Sequence, residues 1–199
     1  SNNISLNTVT GYAGAIQADS IDSTSDLFDT NTEVGGGSLH VGGALSAGTV
    51  TVVGDTFHAN TTTGFGGAIW GDNVSVDRSW FIDNDASTGG GAIAGTSGGS
   101  SQDISIADST FESNGNVLIE GGAVWALGGT AHVTNSTFVD NVGYWGGAVQ
   151  SGFDMTLTNN TFTGNTGSST IGGILLTGNV ATLTNNIFDT GANGCWLSS

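Results

Sequence analysis

The residues best suited to chemistry lie between Asp77 and Asp85. Asp77, Asp83 and Asp85 are carboxylates close in sequence to Arg78, the one strongly basic residue of the chain. A carboxylate pair is the minimal equipment for glycoside hydrolysis, one group as acid and the other as base or nucleophile. The cluster is more simply a solvated edge with one ion pair. With no lysine and a single arginine there is nothing to grip a uronate, so a substrate here would be a neutral glycan. His40, His58 and His132 share no metal-ligand spacing. No Asp-x-Asp-x-Asp loop or Gly-Gly-x-Gly-x-Asp repeat signals Ca²⁺. The expectation is therefore a protein that is not an enzyme, with no catalytic residue, no metal and no cofactor.

Aromatic side chains offer a second kind of chemistry, that of contact. If Ile69, Ile93, Val124 and Val149 point inward on strands, period two sends Trp70, Ala94, Trp125 and Gln150 outward on one face. Trp70 and Trp125 would then lie two rungs apart, about 10 Å. Tyr12, Phe65, Tyr144 and Trp145 precede glycine pairs and would extend the patch. Exposed amphipathic aromatics beside Gln150 suit stacking on a sugar ring or a protein contact. Asn-x-Ser/Thr sequons at Asn3, Asn60, Asn73, Asn135 and Asn159 make these candidate glycosylation sites.

The elements that must position these residues are written in a repeat. Phe28, Phe57, Phe81, Phe111, Phe138 and Phe162 each have Asn three positions on, at Asn31, Asn60, Asn84, Asn114, Asn141 and Asn165. Glycine pairs at Gly42-Gly43, Gly66-Gly67, Gly90-Gly91, Gly121-Gly122, Gly146-Gly147 and Gly172-Gly173 follow, with Ala13-Gly14 as a weaker first member. Gly36-Gly37 competes with Gly42-Gly43 for the motif of its coil. Successive Phe residues are about 24 to 30 apart, a period that signals a solenoid. Before each Phe, apolar residues alternate with polar ones, as in Val50/Val52, Val74/Val76 and Ile104/Ile106. That alternation is the strand signal. Three short strands and three bends per repeat predict an all-β, right-handed, single-stranded parallel β-helix of about seven coils. One domain spans 1–199, with irregular first coils over 1–48, regular repeats over 49–190 and an incomplete last coil over 191–199.

Each recurring position has a structural reason. Phe57, Phe81, Phe111, Phe138 and Phe162 stack coil over coil inside. Asn60, Asn84, Asn114, Asn141 and Asn165 hydrogen-bond up and down, as asparagine ladders do. Gly-Gly supplies a bend where φ is positive or a side chain would clash. The pairing of Gly-Gly-Ala-(Ile/Leu/Val) with Phe-x-x-Asn resembles the repeats of the chlamydial polymorphic outer-membrane proteins and related surface β-helix proteins. The resemblance covers roughly residues 11–190. It implies a surface-exposed autotransporter passenger associated with adhesion. No C-terminal membrane barrel is expected among these residues, and the pattern is broken at Phe188, where Gly191 replaces the Asn.

Composition narrows the partners. The chain has 199 residues, a formal net charge of −16, 35 glycines, no proline and a single cysteine, Cys195. Phosphate recognition needs Lys and Arg, so nucleic acid is excluded. No apolar run approaches a membrane span. Thr156 and Thr158 over Thr182 and Thr184, with Thr134 below, resemble the Thr-x-Thr strip of ice-binding solenoids. The last residues, Asn193 to Leu197, read as a glycine strand cut short, so either further coils or end-to-end self-association is expected. The expected role is a non-catalytic, exported structural or adhesive module. The alternative is a carbohydrate-binding or polysaccharide-cleaving protein.

Overall fold

The computed structural model describes residues 1–35, 41–95, 102–168, 173–176, 180–189 and 195–197. These residues contain strands and no helix, and every strand pairing is parallel. The sheets stack as a β-solenoid of about six turns, where about seven coils were expected.

The Phe positions organise one eight-stranded sheet, running from Asn3–Ser5 through Leu27–Asp29, Thr56–His58, Trp80–Ile82, Thr110–Glu112, Thr137–Val139 and Thr161–Thr163 to Ile187–Asp189. In each strand the central side chain points in. From Phe28 to Phe188 the rings stack at centroid separations of 4.7 to 5.0 Å and interplanar angles of 1° to 13°. Each buried ring contributes about 1.5–3 kcal/mol by leaving water.

A seven-residue unit builds this side of the coil. In Gly54-Asp55-Thr56-Phe57-His58-Ala59-Asn60 the first and sixth residues both have positive φ, +69° at Gly54 and +53° at Ala59. Arg78 and Asp83, Asp108 and Ser113, and Asn135 and Asp140 repeat the same two left-handed bends. Each bend delivers the next residue into a buried ladder. Asn60 donates from Nδ2 to Asn84 Oδ1 at 3.0 Å and to the Phe28 carbonyl at 2.9 Å, while Asn84 Oδ1 also accepts the Asn60 amide at 3.0 Å. The arrangement continues from Asn31 to Asn165. A second ladder precedes each Phe: the amide of Ser79 donates to Ser109 Oγ, Ser109 to Ser136 Oγ and Ser136 to Asn160 Oδ1.

The glycine pairs open a twelve-stranded sheet. Each early coil has three strands, as expected, but they are divided differently. The glycine strand and the alternating strand are one, over Ile16–Thr24, Leu45–Val53 and Ile69–Asp77. They separate from Gly95 onward, because the chain adds residues before the next alternating strand at Gln102–Ala107. Gly42-Gly43 lies in register between Ala13-Gly14 and Gly66-Gly67, so it is the motif of its coil; Gly36-Gly37 lies outside the described residues. From Gly14 through Gly43, Gly67 and Gly91 to Gly122, the second residue of the motif is held to glycine by proximity. A β-carbon on Gly67 would lie 1.9 Å from the Gly91 carbonyl oxygen. A third side, of two-residue strands, runs from Thr8–Val9 to Asp85–Ala86 and resumes at Val142–Gly143.

Candidate functional site

The predicted aromatic face forms where the glycine pairs enter the long sheet. Ser46, Trp70, Ala94, Trp125 and Gln150 are register partners, each one residue beyond a buried aliphatic. Beside them, bridges align Phe65, Gly89, Glu120 and Trp145, each just before its glycine pair. The first column alternates away from the main core, but the second column folds over it. Trp125 is only 7% exposed. Its ring lies 5.3 Å from that of Phe65 and against Gly89, where any β-carbon would strike the indole. Phe65, Ala94 and Trp125 make a small satellite core, with Trp70 and Leu127 packed at its margin. Gln150 is buried too: Oε1 accepts the Gly121 amide at 3.0 Å and Nε2 donates to Glu120 at 3.1 Å. The expected exposed Trp70–Trp125–Gln150 platform is thus corrected to a packed corner.

What stays open on this corner is its far end. Tyr144 is 44% and Trp145 40% exposed, their rings 6.0 Å apart and tilted by 39°. The Tyr144 amide donates to the Ile119 carbonyl at 2.5 Å, which sets Tyr144 beside the Val117–Leu118 turn. Leu118 is 82% exposed and Val117 is exposed next to it. Ser168 Oγ anchors the turn by donating to the Val117 carbonyl at 3.0 Å. Val117 and Leu118 were missed because they interrupt the repeat rather than obey it. Their signal was the added length between Asn114 and Gly121.

The carboxylates near Arg78 do not form one site. Arg78 pairs with its neighbour Asp77 at 2.5 Å. Asp77 ends the long strand, Asp83 occupies a left-handed bend after the Phe strand, and Asp85 begins the short side and accepts from Asn116 at 2.6 Å. Among the histidines, His40 lies outside the described residues and His132 is exposed on the long sheet between Ser105 and Thr156. His58 instead meets two carboxylates on the outer face of the Phe sheet: Asp29 at 2.7 Å through Nδ1 and Asp83 at 3.8 Å through Nε2. The His58 contact holds the Asp29 carboxyl below its ordinary range. No group of three or more His, Cys, Asp or Glu among the described residues is placed to hold a metal ion.

Of the sequons, Asn3, Asn73, Asn135 and Asn159 are exposed. Asn60 is not: it is fully buried and both its amide hydrogens are engaged in the ladder, so it is corrected from candidate glycosylation site to core residue. The threonine strip does stack, Thr134 on Thr158 on Thr184 and Thr156 on Thr182, with His132 below Thr156. Compared with family models, curated proteins and solved structures, the chain matches none of them.

Proposed function

We propose that the chain is an exported, non-catalytic surface module, a rigid structural and adhesive solenoid. The observation that carries this reading is the apolar patch of Val117, Leu118, Tyr144 and Trp145, set on a framework braced by unbroken phenylalanine and asparagine ladders. The patch is tied to that framework by backbone bonds, the Tyr144 amide to the Ile119 carbonyl and the Trp145–Glu120 bridge, and side chains held in place before contact lose less freedom on binding. Exposed apolar side chains grouped in one place, rather than scattered singly, suit a contact site. The resemblance to chlamydial surface repeats supports the same role, at the level of motif.

Self-association is part of the reading. Parallel sheets of this kind grow by adding a rung through the same pairing, whether from further coils or from a second copy. The purified protein would be sized by light scattering and imaged by negative stain, alone and as the Leu118→Ser/Trp145→Ser double variant. Associated rods that disperse in the variant support contact through the patch. End-on filaments that persist assign assembly to the sheet rungs. Single rods at every concentration, with no adhesion to any surface offered, would overturn the reading.

A further inference from the structure

We infer that the outer face of the Phe sheet carries a sugar-binding subsite centred on Trp80, built to take one pyranose of a neutral oligosaccharide. This goes beyond the adhesive reading and stands on a different side of the coil from the Tyr144–Trp145 patch.

The residue before each Phe points outward, and its column reads Leu27, Thr56, Trp80, Thr110, Thr137, Thr161, Ile187 in register. Within the threonine run from Thr56 to Thr161 a tryptophan interrupts once. Its indole is 58% exposed, although the strand beneath it is held by the fully buried Phe81. A large aromatic left open on the middle of a sheet offers a flat face to an apolar partner, with a polar indole N–H at its edge. The cavity at this point, about 270 Å³, is lined by Trp80, Ile82, Thr110 and Glu112. That is below the roughly 300–1,000 Å³ of drug-sized pockets, room for a single ring rather than an extended ligand.

The lining matches the two surfaces of a pyranose. Trp80 and Ile82, two residues apart on one strand, make an apolar floor for the C–H face. Thr110 and Glu112, one rung on, put a hydroxyl and a carboxylate at the rim, where ring hydroxyls project. An ionised carboxylate only accepts hydrogen bonds, so Glu112 selects hydroxyl donors and repels sulfated or uronic sugars. On the opposite rung His58 is held by Asp29, which fixes its ring at the edge of the floor. The net charge of −16 adds a general bias against anionic glycans.

The test uses the five indole N–H signals of the ¹⁵N-labelled protein. The Trp80→Thr variant, which restores the residue of the flanking rungs, identifies the Trp80 signal and leaves the ladder intact. Cellotetraose, mannotetraose and galactotetraose are titrated, with tetragalacturonate as the charged comparison. The expected result is a saturable shift of the Trp80 signal with at least one neutral tetrasaccharide and none with tetragalacturonate. Affinity should fall about tenfold or more in Trp80→Thr, read from backbone amides of Thr110 and Glu112, and several-fold in Glu112→Gln. No shift at Trp80 with any neutral sugar, equal affinity in Trp80→Thr, or preference for tetragalacturonate would each overturn the subsite. A shift confined to Trp145 would overturn it as well, while supporting the adhesive patch.

Discussion

The asparagine of each repeat is an unusually complete hydrogen-bonding device, and its removal shows how much rests on one side chain. Asn84 accepts from the Asn60 amide and from Asn60 Nδ2, and donates to the Phe57 carbonyl and to Asn114. Asn84→Ala therefore orphans two donors and a carbonyl in a fully buried place. At about 1–3 kcal/mol for each unsatisfied group, the expected loss is about 3 kcal/mol or more, read as a lower urea midpoint. Asp55 sits in the second ladder and behaves differently. Its Oδ1 accepts the Asp26 amide at 2.7 Å, but Oδ2 is buried with no partner. Burial pushes the Asp55 carboxyl above its ordinary value. Such a group costs nothing below the unfolded pKa, and its penalty grows as pH rises through the folded one. Later rungs use asparagine here, with Asn160 Nδ2 donating to the Val133 carbonyl at 2.9 Å. Asp55→Asn should thus raise stability at pH 7 by about 1–3 kcal/mol and change little near pH 3, a difference that thermal melts at the two pH values would reveal. Unchanged melting at pH 7 would show that Asp55 finds solvent.

At the scale of the element, the Phe strand and its two bends were legible to different degrees. The Phe and Asn positions were plain because identical residues recur where identical residues stack. The bends were not, because left-handed backbone here is carried by residues as unlike as Ser25, Gly54, Arg78, Asp108 and Asn135. What is common to them is a conformation, invisible to a search for shared side chains. The second ladder was hidden for a related reason, since Asp, Ser and Asn all accept an amide hydrogen and interchange freely. The aromatic corner misled because period two gives the direction of a side chain and not what lies above it. Only the pairing of Phe65 with Gly89 reveals the cover over Trp125. Two substitutions separate the two uses of small residues. Ala59→Gly removes a β-carbon from a φ of +53° and should stabilise by about 0.5–1 kcal/mol, after the entropy of glycine is subtracted. Gly67→Ala forces a β-carbon onto the Gly91 carbonyl and should cost several times as much, or prevent folding. Both are read by urea denaturation. A Gly67→Ala protein as stable as the parent would mean the coils can spread without losing their hydrogen bonds.

The whole molecule is a stack of coils, each touching its neighbours, so its stability is a sum of coil and interface contributions. Onto that stack the sequence places 17 acidic side chains against one basic residue. Like charges spread over a rod repel without opposing partners, which favours the expanded unfolded chain. Lowering the pH discharges them. Asp55 acts in the same direction, its raised pKa making the protonated form the better tenant of the ladder. Asp26, held down by the Asn2 amide, and Asp29, held down by His58, act in the opposite direction. Their contribution is present above the unfolded pKa and lost as pH falls through the lowered one, so it disappears only under stronger acid. The melting temperature should therefore climb as pH falls from 8 toward about 4, then turn down. Salt should raise it at pH 7, where repulsion is screened, and have little effect at pH 4. A melting curve with its maximum near neutrality and no response to salt would contradict this balance, and would mean that carboxylate contacts along the coils outweigh the repulsion between them.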